Sequence, residues 1–435
     1  VMPWRVMPLS LPGRKRWARR LARLAVPPAQ FAAWRRRLED HRPEALAIDA
    51  IEITGLQRVN PEAVGRHLQQ RVGQPLDTDA LNRDLLRAYG DGWFEGVDYQ
   101  LLAQRERKLL RITPVEKRWG PDYLRFAVGL NSNLSQGSTY ALRGAYQKTW
   151  LNRLGAELLA DVEIGSNTGG GIEFYQPLDS RQDFFVEALL RYRRSQLDVF
   201  LDNDRFAEYR TGTGSSELVL GSNLGLLGQL RLGWRSQRYN ARLDTGLPQF
   251  PNVSERSRGW RLVLDLDQLN GLYFPSHGWS LRSSWYEARQ GDYTKFTLEA
   301  SAAWQLRAWV LGTRVATVSS PKGELPIGEA ASLGGFLNLS GFANGQLLGD
   351  EMHYAHLRAE RIIGRLPLGL RGDMRLGLAL EAGKMGLPYT ETRRTGWLNS
   401  AVLYLGGETP LGPVFLGVGR SSSGATNAYL SIGTP

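Results

Sequence analysis

The stretch YTKFTLEASAAWQL, from Tyr293 to Leu306, decides the fold. Polar and apolar side chains alternate along it with a period of two. The apolar face holds Phe296, Leu298, Ala300, Ala302, Trp304 and Leu306, and the polar face holds Lys295, Thr297, Glu299, Ser301 and Gln305. This alternation is typical of a β-strand, since successive side chains point to opposite sides of a sheet. Stretches near 230–235, 260–267 and 374–381 alternate in the same way, so we predict a mainly β protein.

The alternating segments continue from about residue 121 to the end of the chain, separated by Gly, Asn, Asp, Ser and Pro. They predict sixteen strands, at 121–132, 137–149, 152–164, 168–178, 183–201, 204–223, 228–246, 257–268, 278–290, 292–306, 308–319, 351–363, 371–384, 398–408, 412–421 and 425–434. The apolar faces end repeatedly in tryptophan, at Trp150, Trp234, Trp260, Trp279, Trp285, Trp304 and Trp309. An even strand count and an aromatic girdle predict a 16-stranded antiparallel transmembrane β-barrel over residues 118–435. A soluble β-sandwich or propeller is the alternative.

The composition excludes several other classes of protein. The 435 residues are 42% hydrophobic and 22% charged, which is enough to bury a large core. No run approaches the roughly 18 apolar residues of a membrane helix, and the mean hydropathy is −0.33, so a bundle of membrane-spanning helices is excluded. The chain has no cysteine, which excludes disulfides, cysteine metal sites and thiol catalysis.

The positive charge is concentrated at the start of the chain. The net charge is +11, and residues 1–44 hold eleven basic but only three acidic residues. A local excess of this kind argues against a nucleic-acid partner for the whole protein. Apolar residues at helical spacing, Trp17, Leu21 and Leu24 and then Phe31, Trp34 and Leu38, predict a basic amphipathic helical connector over residues 1–46. Binding to an anionic membrane surface and a solvated connector are the two interpretations.

Residues 47–117 predict a small α/β module. The order is a strand from Ile48 to Ile53, a helix from Asn60-Pro61 to Gly73, a second helix from Thr78 to Gly90, and two strands at 96–103 and 108–115. Four motifs in this segment resemble a POTRA domain: IEITG at 51–55, GQPL at 73–76, Trp93-Phe94, and LRI at 110–112 leading to Val115-Glu116. The resemblance implies a periplasmic domain that binds extended peptides at an exposed sheet edge, here at Ile51, Ile53, Val97 and Tyr99.

The longest predicted loop, 320–350, contains LGGFLNLSGF at 333–342. Its end, Leu339, Ser340, Gly341 and Phe342, resembles the R-G-F or R-G-Y motif in the sixth loop of the outer-membrane assembly and secretion barrel superfamily. The resemblance implies that the loop folds into the lumen and contacts an acid of the inner wall. Ser340 stands at the usual arginine, and ALEAG at 379–383 matches the wall motif F-x-D-x-G with Glu381 as the acid. Glu360, Arg358 and Arg375 are predicted as substitute partners.

A single POTRA-like module, a sixteen-strand count and a basic connector most resemble the C-terminal part of patatin-like autotransporters, the type Vd class. The resemblance implies a bacterial outer-membrane translocator that exports its own N-terminal lipase passenger, with the POTRA domain in the periplasm. Outer-membrane lipids and the barrel assembly machinery are the other expected partners. Because Val1-Met2-Pro3 starts no signal-peptide pattern, we expect the sequence to be part of a longer protein. The alternatives are a stand-alone insertase, a porin-like channel, or a barrel phospholipase.

We predict no catalytic, metal or cofactor site in this chain. The Gly-x-Ser-x-Gly elbow of patatin-like lipases does not occur in it. Ser276 and His277 are adjacent, and we expect their side chains to diverge on an extended backbone. His353 and His356, three residues apart on a predicted strand, should point to opposite faces.

The final strand predicts an unusual barrel closure. Thr434-Pro435 is a poor strand end, because proline cannot donate to a ladder. We therefore predict that residues 425–435 pair with 121–132 over a shorter length than other strands do, forming a lateral gate that cysteines at Ser431 and along 124–130 would test.

Overall fold

The computed structural model describes residues 30–31, 33–34, 47–104, 107–120, 122–133, 136–201, 203–247, 250–366, 372–390, 396–410 and 412–433. Almost all of the predicted connector over 1–46, and the Thr434-Pro435 end, lie outside these residues. The chain divides into two compact units, one made of 1–52, 68–87 and 98–112, and the other of 53–67, 88–97 and 113–435.

Among the described residues, no helix has both the length and the apolar character needed to cross a membrane.

The segment after residue 47 has the predicted order of elements. They are β1 (Ala50–Ile53), α1 (Pro61–Gly65), α2 (Thr78–Gly90), β2 (Phe94–Gln104) and β3 (Arg107–Glu116). The three strands form a sheet in the order β1-β3-β2, so β1 and β2 are its edges. In the first unit, Ile48, Leu81, Leu85, Leu110 and Ile112 are buried.

Helix α1 is shorter than the sequence predicts. It begins as expected, since the Asn60 side chain accepts from the Glu62 amide and Pro61 occupies the first turn. It ends at Gly65 instead of reaching Gly73. The amide of Gln69 donates to a carboxylate oxygen of Asp84 at 2.7 Å. The Asp84 carboxylate therefore binds the Gln69 amide, which in a longer helix would donate to a backbone carbonyl of the same helix.

Sixteen strands form a closed antiparallel barrel, as predicted. They are β4 (Asp122–Asn133), β5 (Gly137–Lys148), β6 (Glu157–Gly165), β7 (Thr168–Pro177), β8 (Phe184–Leu201), β9 (Asp204–Asn223), β10 (Gly228–Thr245), β11 (Val253–Asp267), β12 (Gly278–Gln290), β13 (Thr294–Leu306), β14 (Trp309–Lys322), β17 (Met352–Arg365), β18 (Asp373–Met385), β19 (Gly396–Thr409), β20 (Gly412–Ser421) and β21 (Thr426–Ile432). Two short strands, β15 (Ala331–Leu333) and β16 (Leu347–Gly349), pair with each other in the loop between β14 and β17. We call the end of the barrel with this loop the loop end and the opposite end the turn end.

The predicted faces of the strands are largely correct. The outer face is apolar, and six of the predicted girdle tryptophans are exposed on it: Trp234, Trp260, Trp279, Trp285, Trp304 and Trp309. Trp150 is a correction, because it is half-buried and packs edge-on against Trp93 with ring centroids 5.0 Å apart. It lies just after β5, where the following segment up to Ala156 is a turn and not the start of a strand.

Candidate functional site: the lumen loop and the seam

The lumen loop, residues 323–351, carries a buried apolar core at its tip. Leu333, Leu339, Phe342 and Leu347 are each at most 2% exposed, and they pack with Tyr354 of the barrel wall. Gly334 and Gly335 have φ near +110°, a backbone conformation that a side chain would strain. The loop is therefore folded into the barrel as a compact plug.

Ser340 lies against Glu381 at the centre of this plug. Both are buried, and the Ser340 amide donates to Glu381 Oε2 at 2.6 Å while its hydroxyl donates to Oε1 at 3.1 Å. The Tyr354 hydroxyl is 2.9 Å from the same Oε1. The carboxylate is thus bound by an amide and hydroxyls in place of the usual guanidinium, and a serine is sufficient for the contact between loop and wall.

Two strands near the barrel closure also hold the tip. The Tyr429 hydroxyl on β21 lies 2.9 Å from the Ser340 carbonyl oxygen and 2.8 Å from that of Phe342. The Asn427 side chain donates to the Gly341 carbonyl at 3.1 Å, and the Gly341 amide donates to the Ser400 hydroxyl at 3.1 Å. The tip backbone is therefore bound directly to β21.

The turn between β4 and β5 binds the tip from the other side of the closure. The Gln136 side chain donates to the Asn344 carbonyl at 2.9 Å and accepts from the Asn344 amide at 3.0 Å. Gln346 donates to Asn203 at 3.0 Å. The lumen loop thus contacts both strands that close the barrel, β21 directly and β4 through its turn.

The base of the lumen loop is fixed to the opposite wall by charge. Buried Glu329 accepts from Lys295 at 2.8 Å and from Gln237 at 2.9 Å, and Arg235 lies 3.4 Å away. The Glu255 carboxylate accepts from the amides of residues 327 and 328. The loop therefore crosses the lumen from β10, β11 and β13 to β18, β19 and β21.

Glu360, Arg358 and Arg375 do not substitute as predicted for the pair between loop and wall. They form their own cluster, with Glu360 at 3.3 Å from Arg358 and 3.5 Å from Arg375, and with the Tyr404 hydroxyl 2.6 Å from Glu360. In the described part of the chain, none of the three has a hydrogen bond or ion pair to the lumen loop. At the tip, the carboxylate that Ser340 contacts in the described part of the chain is that of Glu381, the acid to which the resemblance to the wall motif pointed.

The barrel closes through a short ladder that we call the seam. It joins β21 to β4 over four residue pairs, from Tyr429 opposite Asn133 to Ile432 opposite Leu130. Among the described residues, the next shortest ladders of the barrel wall have seven pairs, which confirms the predicted short closure. The partner of Ser431 is Asn131, just beyond the predicted 124–130, and their side-chain oxygens are 2.5 Å apart.

Strand β4 extends past the seam. Its residues from Asp122 to Gly129 pair with β5 on one side, and no described residue of β21 pairs with them on the other. Leu124, Phe126 and Val128 on this segment are exposed on the outer face. Gly433, which follows β21, lies against Val128 and Gly129, so among the described residues the open edge of β4 runs from Asp122 to Ala127, in the barrel wall at the turn end.

The four predicted edge residues lie on the edges of the small sheet. Ile51 and Ile53 lie on β1 and Val97 and Tyr99 on β2, which are the two edge strands of that sheet.

The prediction that Ser276 and His277 diverge is wrong, because the Ser276 hydroxyl is 3.1 Å from His277 Nδ1 in the turn before β12. Asn270 bonds to both residues and closes this turn. No described carboxylate bonds to His277, so the arrangement lacks the third member of a catalytic triad.

Comparison with known proteins agrees with the barrel fold. Residues 151–367 match the family model of the Omp85 superfamily domain. The structure is similar to BamA from Haemophilus ducreyi lacking POTRA domains 1–3, at 15% identity over 90% of this chain and 84% of that one, with a TM-score of 0.63. It is also similar to CdiB from Acinetobacter baumannii, at 12% identity over 89% and 73% of the two chains, with a TM-score of 0.59. No curated protein matches the sequence. The barrel fold is shown, and the domain match supports placing it in the outer-membrane assembly and secretion barrel superfamily.

Proposed function

We propose that this chain is a translocator of the bacterial outer membrane that moves a polypeptide to the cell surface. The observation that carries the proposal is the open edge of β4 beside the four-pair seam. A passive pore has no use for such an edge, since lipid cannot satisfy its backbone groups. An incoming polypeptide can satisfy them by adding a strand.

The seam is also the weakest ladder of the wall. With a net gain of about 0.5–1.5 kcal/mol for each hydrogen bond, opening four residue pairs costs on the order of a few kcal/mol. The ladder between β8 and β9, with eighteen pairs, would cost several times more. Because the lumen loop binds both sides of the seam, its release would precede opening.

More specifically, we propose that the chain is the translocator of a type Vd autotransporter, because its sequence resembles that of patatin-like autotransporters. The passenger would be a patatin-like lipase fused N-terminally, and residues 47–117 would act as a periplasmic POTRA domain. The edge positions of β1 and β2 support peptide capture there, because each edge presents unpaired backbone groups. The barrel assembly machinery and outer-membrane lipids are the proposed partners, and the lipase active site would belong to the passenger.

A disulfide across the seam tests the route. The chain has no native cysteine, so S431C/N131C introduces the only thiols. We expect oxidation to reduce surface delivery of an N-terminally fused, epitope-tagged passenger at least about tenfold, and reduction to restore it. Delivery is measured by antibody binding to intact cells.

The matched control is S284C/T297C, which joins two facing hydroxyl residues of β12 and β13 whose side chains are 2.6 Å apart. Its oxidation should leave delivery unchanged. Unchanged delivery with a fully oxidised seam would eliminate the lateral route and leave the lumen. A barrel that conducts ions but never delivers the passenger would favour the porin-like alternative.

A further inference from the structure

Three arginines lie together on the outer face of the barrel, at Arg238 on β10 and at Arg256 and Arg258 on β11. Arg238 shares its strand face with Leu232 and Trp234, which are exposed. Its neighbour Gln237 points the other way, into the lumen, where it bonds to Glu329. The arginines therefore point away from the lumen, as the tryptophans do.

The cluster lies just beyond the aromatic girdle on the side of the loop end. Trp234 and Trp260 face each other with ring centroids 5.2 Å apart. Arg258 is two residues, and Arg238 and Arg256 are four residues, farther along their strands. At about 3.3 Å for each residue, the Cα atoms of the arginines lie roughly 7–13 Å along the strands from those of the tryptophans. Aromatic girdles mark the membrane interface, so this is the depth of lipid headgroups.

The three arginines have no ion-pair partner among the described residues. Arg238 lies directly opposite Arg256 in the strand register, an arrangement of like charges that destabilises a sheet. The acids nearby are already paired: Glu287 with Arg289 at 3.5 Å, and Asp244 with Arg210 at 2.8 Å. An anion from outside the protein would offset the repulsion.

The cluster borders a pocket of about 400 Å³. Its wall includes Gly214, which lacks a side chain, and Ser216 and Ser236, whose hydroxyls can donate to an anion. Guanidinium groups bind phosphate in a bidentate manner. The volume is in the usual range for small-molecule sites, about 300–1,000 Å³, which suits a phosphorylated sugar better than a lone ion.

We infer that this pocket binds the phosphorylated sugar headgroup of an outer-leaflet glycolipid, such as lipid A. The inference rests on the proposed outer-membrane location, which would bring the loop end into the outer leaflet. Three unpaired cations favour a headgroup with more than one phosphate over the single phosphate of a diacyl phospholipid. The lipid would be a bound component of the barrel wall.

Native mass spectrometry of the detergent-purified full chain tests the site with bis-phosphorylated lipid A. We expect R238Q/R256Q/R258Q to weaken lipid A binding at least about tenfold. The control R153Q/R307Q/R361Q removes the same charge from the turn end and should bind as the unmodified protein does. Faster migration of unheated samples on gels verifies that each variant is folded.

Two ligand comparisons need no variant. Dephosphorylated lipid A and phosphatidylglycerol should each bind the unmodified protein at least about tenfold more weakly than lipid A. Equal binding of either lipid, or full binding by the cluster variant, would overturn the inference. Passenger delivery is measured in parallel. Lipid A binding without delivery would refute the transport function alone. Delivery without lipid A binding would refute the lipid A site alone.

Discussion

Ser340 and Glu381 form a buried contact between the lumen loop and the barrel wall in which no cation takes part. Glu381 accepts two bonds from Ser340, and one of them comes from the backbone, which any residue at 340 except proline would supply. The contact is therefore determined mainly by the loop conformation and by the acid. The sequence located both residues only through resemblance to known motifs, because periodicity does not reveal which loop meets which wall.

Replacing Glu381 with alanine should release the tip of the lumen loop. The change leaves the Ser340 amide and hydroxyl without their acceptor in a buried site, a cost of roughly 2–4 kcal/mol, whereas the Tyr354 hydroxyl keeps the Leu337 carbonyl at 2.7 Å. We expect rapid proteolysis within 334–346 in folded barrel, read by mass spectrometry. E299A, which removes a half-exposed pair with Arg314, should leave the tip resistant. Equal resistance in both variants would show that Glu381 does not hold the loop.

Glu116 should make the segment before the barrel sensitive to acid. Burial alone would raise the pKa of Glu116, but the amides of Val59, Arg58 and Gln57 and the Arg58 side chain outweigh it and hold the pKa below its ordinary value of 4.5. A depressed pKa in the folded state stabilises folding above the ordinary value and loses that effect as the pH falls through the depressed one.

Hydrogen exchange of the full chain measures this effect at residues 57–59. After correction for the intrinsic rate, their protection should fall between about pH 5 and pH 3 in the unmodified protein. E116Q should show low protection at every pH, whereas E95Q, which removes one bond to the Arg118 amide, should keep the acid-dependent step. A flat protection profile in the unmodified protein would contradict the argument.

At the scale of elements, the strands were predictable and their long-range contacts were not. A period of two placed all sixteen barrel strands, since each strand must separate lipid from lumen. The predicted end of α1 was wrong because the Gln69 amide donates to Asp84, which lies 15 residues further along the chain. The bond between Gln136 and Asn344 spans 208 residues, and no local pattern encodes it. Trp150 was misplaced because composition cannot distinguish a girdle tryptophan from one packed in a turn.

The lumen loop should be the element that closes the pore. Replacing residues 335–345 with a short Gly-Ser linker removes the contacts to Glu381, Tyr429 and Gln136 but keeps the base at Glu329. We expect a several-fold larger single-channel conductance in planar bilayers. Q136A, which among the contacts of the loop tip cuts the one to the β4 turn, should cause brief openings of smaller amplitude. Unchanged conductance after the replacement would mean that other segments fill the lumen.

At the scale of the whole molecule, alternation, girdle and even strand count agree on a membrane barrel. We expect the full chain to need detergent, and unheated samples to migrate faster on gels than heated ones because the closed barrel resists unfolding. Circular dichroism should show a β-type spectrum. Ready solubility without detergent would contradict the membrane assignment.

The contacts of Tyr429 bear on the order in which the barrel and its plug assemble. The plug tip is held by a residue 89 positions after Ser340, near the end of the chain, and by Gln136, near the first barrel strand. The bonds from Tyr429 form only when β21 is in place beside β4, whereas the bonds from Gln136 do not depend on β21. We therefore expect the tip of the lumen loop to gain its last contacts when the barrel wall closes, so that closing the wall and completing the plug are one event.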